Sequence, residues 1–111
     1  MDNNYEVVLC IVNAGFTDAV MDAARECGAR GGTVLNARGT ANQEAEKLFN
    51  ISIQPEKEIV ILLVDKSIKD NVLHSIYTNV GLNSPGQGIA FSLPVEDVVG
   101  LSVPASMPKA E

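Results

Sequence analysis

The side chains best suited to catalysis or metal binding are sparse in this chain and stand apart in the sequence. Its one histidine is His74, and its two cysteines are Cys10 and Cys27. None of them has a second ligand nearby at the spacing of a zinc site. The chain also has no G-x-S-x-G elbow, no Walker A loop and no Ser-His-Asp order. We therefore interpret His74 as a solvated surface residue and both cysteines as core thiols, and we expect a protein that is not an enzyme.

Two glycine-bearing segments are better candidates for a binding site. The first comprises residues 28–39 (GARGGTVLNARG), and the second is Gly86-Gln87-Gly88. Successive backbone N–H groups in a glycine turn can form a nest that holds an anion. Glycine turns are also common where a helix joins a strand, so the residues alone leave both interpretations open.

The elements that would position these segments follow from the apolar spacing. Runs rich in β-branched residues predict strands at 5–12, 33–38, 59–64 and 88–95. Apolar residues at helical spacing predict helices at 16–27 and 65–78. We expect Thr17 or Asp18 to cap the first helix and Gly28 to end it.

This order predicts an α+β fold of the ferredoxin-like βαββαβ type, a sandwich of an antiparallel sheet and two helices. Both helices would lie on one face of the sheet, and the other face would be apolar without helical cover. Residues 59–64 (IVILLV) are apolar throughout, which is typical of a strand covered on both sides. We therefore expect association of subunits through the second face.

The stretch between the second and third strands is polar and long for a compact domain. Loops of this length are usually functional or mobile. Within it, residues 45–49 could form a short helical turn and residues 51–53 a brief strand, before Pro55 closes the segment.

Composition narrows the class of protein further. A length of 111 residues predicts one domain, 1–111, in which 104–111 form a loose tail. Fourteen acidic against eight basic residues give a net charge of -6, which excludes a generic nucleic-acid-binding surface. No stretch approaches the roughly 18 apolar residues of a membrane span. The polar N-terminus and the unpaired cysteines predict a cytoplasmic protein.

In this collinear order the motifs resemble the PII signal-protein superfamily, the nitrogen regulatory proteins and their PII-like relatives, over about residues 5–101. The first glycine segment is similar to the family's Gly-x-x-Gly-x-Thr-Val strand and Arg-Gly exit. Pro55 and Asp65 match the family's loop-closing proline and the aspartate after its third strand. Gly86-Gln87-Gly88 matches its Gly-x-Gly loop.

The resemblance implies a homotrimer that binds an adenine nucleotide (ADP, AMP or ATP) or a small anion in the clefts between subunits. It also implies a T-loop, here residues 40–56, that contacts a target protein such as a membrane transporter or a metabolic enzyme. The effector-binding residues it implies are Ile11 and Leu62 in the adenine pocket, Thr33 near the base, Gly86 and Gly88 at the phosphates, and Gly39 and Gln87 at the edges of the cleft.

The chain departs from the family at the cations of this site. Ile89 and Glu56 replace two of its lysines, Ala41 replaces a glycine, and the apolar residues 99–103 replace an Arg-x-Arg motif. Each lost charge-assisted hydrogen bond is worth roughly 1.5–3 kcal/mol, so ATP binding would weaken by orders of magnitude. Arg38 is the main cation left near the cleft, with Lys57 as a second candidate. The sequence thus favours a less charged ligand, such as AMP, ADP, a cyclic nucleotide or a small anion, or else a vestigial cleft.

The T-loop departs as well. Both tyrosines, Tyr5 and Tyr77, lie outside it, so we expect no uridylylation. Its apolar residues either fold back on the trimer or form a partner-binding stripe: Leu48, Phe49, Ile51 and Ile53. A constitutive trimeric interaction module is the alternative function. A metal-handling protein like the CutA family would need ligands that the chain does not offer.

Overall fold

A computed structural model describes residues 4–40, 43–50, 55–84 and 87–101. Its elements are β1 (Tyr5–Asn13), α1 (Thr17–Glu26), β2 (Gly32–Arg38), α2 (Gln43–Phe49), β3 (Glu56–Asp65), α3 (Lys66–Val80) and β4 (Gly88–Pro94). The strands form a four-stranded sheet in the order β2-β3-β1-β4, and all neighbours are antiparallel. This is the ferredoxin-like α+β topology that the sequence predicts.

One face of the sheet packs against α1 and α3 and carries the core. Side chains alternate between faces along a strand, and residues paired across strands share a face. Val8 pairs with Leu62 and Cys10 with Val60, and all four are fully buried. The same core takes in the inner sides of the two helices, including Val20, Ala24, Val72 and Ile76. We call this side of the sheet the covered face.

The other side, which we call the open face, carries the alternate residues of each strand. Its side chains are almost all apolar: Val7, Leu9 and Ile11 of β1, Ile59, Ile61 and Leu63 of β3, Thr33, Leu35 and Ala37 of β2, and Ile89, Phe91 and Leu93 of β4. Ile89 is 58% exposed and Leu93 48% exposed. Residues 59–64 therefore alternate between a buried and a partly exposed environment, and none of the described helices covers the open face.

Helix α1 begins differently from the expectation. Its N-cap residue is Phe16, which makes no side-chain capping bond, so the prediction that Thr17 or Asp18 caps this helix is wrong. A carboxylate from β3 serves this end instead, because the Gly15 N–H donates to Glu58 Oε1 at 2.9 Å. An anion at a helix N-terminus is favoured by the helix dipole. The helix ends at Glu26, one residue before the predicted end, and is followed by Gly28 at φ +104°.

Helix α3 is closed by local signals at both ends. Asp65 is its N-cap and accepts hydrogen bonds from Ser67 N at 2.9 Å and Ser67 Oγ at 2.8 Å. Gly81 ends it in the left-handed conformation at φ +83°. The helix runs two residues beyond the predicted Thr78. It is tied to α1 by the buried Ser75, whose hydroxyl donates to Ala23 O at 3.0 Å.

Within residues 40–56 the structure describes a helix, α2, that is longer than the predicted turn at 45–49. The predicted strand at 51–53 lies outside the described residues. The segment is closed at its base, where the Gly39 N–H donates to Pro55 O at 2.7 Å. Glu56 already belongs to β3 and not to the loop.

Both cysteines are free thiols. Burial raises the pKa of the Cys10 thiol to about 11. In the part of the chain that the structure describes, no helix has the length and apolarity needed to cross a bilayer.

Candidate functional site

Five of the implied site residues lie at one end of the sheet. In an antiparallel sheet of this order, β1 and β2 end where β3 and β4 begin. Ile11 pairs with both Ile59 and Ile89, while Val12 pairs with Gly88. Arg38 and Gly39 end β2 beside the start of β3, and Gln87 precedes β4. We call this the loop end of the sheet, because residues 40–56 connect there. Gly86, the sixth residue expected here, lies outside the described residues.

Gly88 is required at this end by the close approach of β1. Its φ is +152°, and a Cβ at this position would overlap the backbone carbonyl oxygen of Ile11. Only glycine combines this backbone conformation with so close a neighbour. The position of Gly88 after Gln87 therefore has a structural reason here, besides the phosphate contact that the resemblance implies.

Lys57 is fixed at the loop end by two contacts. Its Nζ donates to Asn13 Oδ1, and Asn13 is its pairing partner on β1. The methylene chain of Lys57 packs against Gly39. A Cβ atom added at position 39 would lie only 3.1 Å from Lys57 Cε and 3.3 Å from Lys57 Cγ. The glycine at 39 thus makes room for a lysine stem, which places a cation on the open face.

Arg38 occupies the other face. It pairs with Glu56, and the alternation along β3 puts Glu56 and Glu58 on the covered face, opposite Lys57. Arg38 is exposed, with an acidic residue as its cross-strand neighbour. It therefore does not share a face with Ile11, although both lie at the loop end.

Gln87 uses its side chain locally. Its Nε2 donates to Val80 O at 3.0 Å, and its backbone N–H donates to Ser84 O at 3.3 Å. The amide thus satisfies a carbonyl at the end of α3. Because this bond spans a turn, no motif in the sequence predicts it.

Thr33 and Leu62 do not join the loop end. Thr33 is exposed on the open face of β2, the edge strand farthest from β4, and pairs with Ile61 of β3. About 14 Å of sheet therefore separates it from the Gly88 strand. Leu62 pairs with Val8 on the covered face and is 0% exposed. The Leu62 and Ile11 side chains therefore project from opposite faces of the sheet in one chain, and their joint role in an adenine pocket stays a prediction.

Among the cavities of the described part of the chain are two whose residues sequence reasoning mostly did not single out. One, of about 430 Å³, lies beside the start of β4 and is lined by Leu73, His74, Tyr77, Leu82, Gly88, Ile89 and Ala90. The other, of about 310 Å³, lies at the far end of the sheet and includes Tyr5, Ala29, Arg30, Leu63, Asp65 and Leu101. His74 is exposed, as predicted. Among the described residues, no three His, Cys, Asp or Glu side chains are grouped to hold a metal ion.

Comparison with known families identifies the scaffold. The family model described as nitrogen regulatory protein P-II matches residues 6–103. The chain belongs to the P-II family. The resemblance found in its motifs is confirmed.

Solved structures share this P-II fold. PII of Arabidopsis thaliana bound to citrate is 27% identical, with a TM-score of 0.67, 90% of this chain covered and 82% of that chain. The GlnK–ATP complex of B. subtilis is 20% identical, with a TM-score of 0.65 and coverages of 86% and 84%. A PII-like signalling protein of Thermus thermophilus is 14% identical, with a TM-score of 0.62 and coverages of 82% and 85%. No curated protein sequence matches the chain.

P-II membership makes this chain a regulatory signal protein, the class of protein that its motifs predict. The Arabidopsis protein is bound to citrate, and the B. subtilis protein is in complex with ATP.

Proposed function

We propose that this P-II protein is a sensor that assembles as a homotrimer, binds an adenine nucleotide between neighbouring chains and signals to a target protein through residues 40–56. The observation that carries the proposal is the separation of the implied site residues within one chain. Ile11 and Gly88 lie at the loop end of β1 and β4, whereas Thr33 lies on β2 at the other edge of the sheet.

The open face supports the trimer. It presents a band of apolar side chains from β2 to β4 that none of the described helices covers. Apolar patches of this extent on soluble proteins mark interaction surfaces. Copies of the chain that pack these faces together would remove Ile89, Phe91 and Leu93 from water.

The separation of Thr33 from the loop end supports a site built by two chains. Thr33 lies two strands from Ile11 and three strands from Gly88 of the same chain, so a base held beside Ile11 and Gly88 does not contact it directly. In an assembly of copies, Thr33 of one chain can face the loop end of the next chain. The effector would then bind only to the assembled protein and would stabilise it.

The charge of the loop end supports a ligand with few negative charges. Ile89 stands where the family has a lysine, and Arg38 lies on the covered face beside Glu56. AMP and ADP therefore fit this site better than ATP does. The ATP of the B. subtilis protein and the citrate of the Arabidopsis protein show what related scaffolds accommodate.

The output would be residues 40–56. Their base is adjacent to the site, because Gly39 is bonded to Pro55 and packs on Lys57. Leu48 in α2 is 78% exposed, so this residue does not fold back on the described part of its own chain. An exposed leucine on a short helix suits docking into an apolar groove of a partner, such as a membrane transporter or a metabolic enzyme.

A constitutive interaction module is the second candidate function. Two observations favour this module, because each removes a ligand contact from the cleft. The Gln87 side-chain amide is hydrogen-bonded to Val80 O, and Ile89 and Glu56 replace two lysines of the family. In this case the trimer would persist and α2 would bind its partner without regard to nucleotide.

Sedimentation and calorimetry on the purified chain separate these functions. The sensor predicts a trimer whose melting temperature rises by several degrees with saturating AMP or ADP and not with guanosine monophosphate, the matched control. A trimer indifferent to AMP, ADP, ATP and citrate would support the constitutive module. A monomer at micromolar concentration would contradict both.

A further inference from the structure

We propose that Lys57 is the residue that binds the anionic group of the effector in this chain, and that it selects a ligand with one phosphate, a nucleoside monophosphate. This inference rests on the proposed effector site. It concerns a residue for which the resemblance assigns no role and which follows Glu56, the replacement of the family's lysine.

The position of Lys57 on the sheet is the first argument. Lys57 pairs with Asn13, and the preceding residue of β1, Val12, pairs with Gly88. Ile11 and Ile89 form the next pair on the same open face. The ammonium held at Asn13 therefore lies beside the start of β4, next to the apolar pair on which a base or ribose could rest.

The orientation of the side chain is the second argument. A lysine at the end of a strand usually extends freely into water, but the Lys57 stem is confined by Gly39 and its Nζ donates to Asn13 Oδ1 at 2.5 Å. An ammonium has three donors, so this bond leaves others for an anion. A cation already fixed in place loses less conformational entropy on binding than a mobile one.

The distribution of charge is the third argument. Within the described strands, the open face carries Lys57 at the loop end and Asp65 at the far end, with apolar or neutral residues between them. Glu56, Glu58 and Arg38 project from the covered face. A ligand bound at the loop end thus meets Lys57 as the one positive charge that the described strands place on this face, which matches one phosphate group and leaves a triphosphate largely uncompensated.

Isothermal titration of the assembled protein with AMP, ATP and adenosine tests this inference. We expect Lys57→Gln to weaken AMP binding about 10- to 150-fold, the range of one charge-assisted hydrogen bond, and to leave adenosine binding unchanged. Lys57→Arg keeps the charge and should stay within about threefold of the wild type. Lys69→Gln is the matched control, since Lys69 pairs with Asp70 on α3 away from the site.

A second variant guards against a purely structural effect. Asn13→Asp would keep the partner of Lys57 and place a carboxylate beside it, so the fold and the assembly should persist while AMP affinity falls at least tenfold. Sedimentation and thermal unfolding of each variant establish that the protein is intact.

The outcomes separate this inference from the proposed function. Equal AMP affinity in the wild type and in assembled Lys57→Gln and Asn13→Asp would overturn the role of Lys57 and leave the sensor standing. ATP binding at least tenfold tighter than AMP to the wild type would overturn the preference for one phosphate. A wild-type trimer that binds neither adenosine nor any adenine nucleotide would overturn the effector site and this inference together.

Discussion

At the scale of single residues, Gly88 is the position least able to change. Gly88→Ala would place a methyl group against the backbone of β1 and force an L-residue into φ +152°. We expect the free energy of unfolding, measured in urea, to fall by about 1–3 kcal/mol from the backbone strain alone, and further from the contact with β1. Gly15→Ala is the control, because Gly15 also has positive φ (+99°) but has nothing within 4 Å of the added carbon. Equal losses in the two variants would show that crowding by β1 is unimportant.

The buried thiol of Cys10 should make the folded protein less stable at alkaline pH. The thiol of the unfolded chain titrates near 9.0, whereas burial raises the pKa of Cys10 in the folded protein to about 11. The folded state therefore binds the proton more tightly, and stability should fall as the pH rises from about 9 to about 11. Cys10→Ala should lose this part of the slope in urea unfolding, and Cys27→Ala should keep it. The same slope in both variants would contradict the assignment.

At the scale of elements, the N-cap of α3 can be tested by pH. The two hydrogen bonds from Ser67 lower the pKa of the Asp65 carboxyl below its ordinary value of 3.8. The capping contribution is therefore complete at neutral pH and is lost as the pH falls through 3.8 and below. Asp65→Ala should lower the melting temperature at pH 7 and flatten the acid dependence. Asp65→Asn should restore most of the melting temperature without the acid dependence, since asparagine caps helices well. An unchanged acid profile in Asp65→Ala would count against this cap.

The elements were largely predictable from the sequence, and the site was predictable only in part. Strand and helix order follow from apolar period, and Asp65 and Gly81 are strong local signals for the ends of α3. Strand register is not local, and it is register that places Ile11 and Leu62 on opposite faces. The hydrogen bonds of Glu58 with Gly15 and of Gln87 with Val80 join residues from different elements or across a turn. No residue spacing in the sequence therefore predicts them.

At the scale of the whole molecule, the open face should control assembly. Phe91 lies in the middle of β4 on this face and is 38% exposed in the single chain. Phe91→Asp would bury a carboxylate between packed apolar faces, a cost of several kcal/mol that the assembly cannot offset. We expect sedimentation to show a shift from trimer to monomer. Leu48→Asp changes a more exposed leucine outside the sheet and should leave the trimer intact. A Phe91→Asp trimer would place the interface elsewhere.

The hydrogen bond from Gly39 to Pro55 joins the two ends of residues 40–56 at a fixed neck. With the neck held, the entropy of closure rises only with the logarithm of loop length, by about 0.6 kcal/mol for each doubling. The intervening chain can therefore be lengthened, shortened or exchanged for an epitope at little thermodynamic cost to the sheet below it. One scaffold of this kind could then serve different receptors by changing only what it displays above that neck.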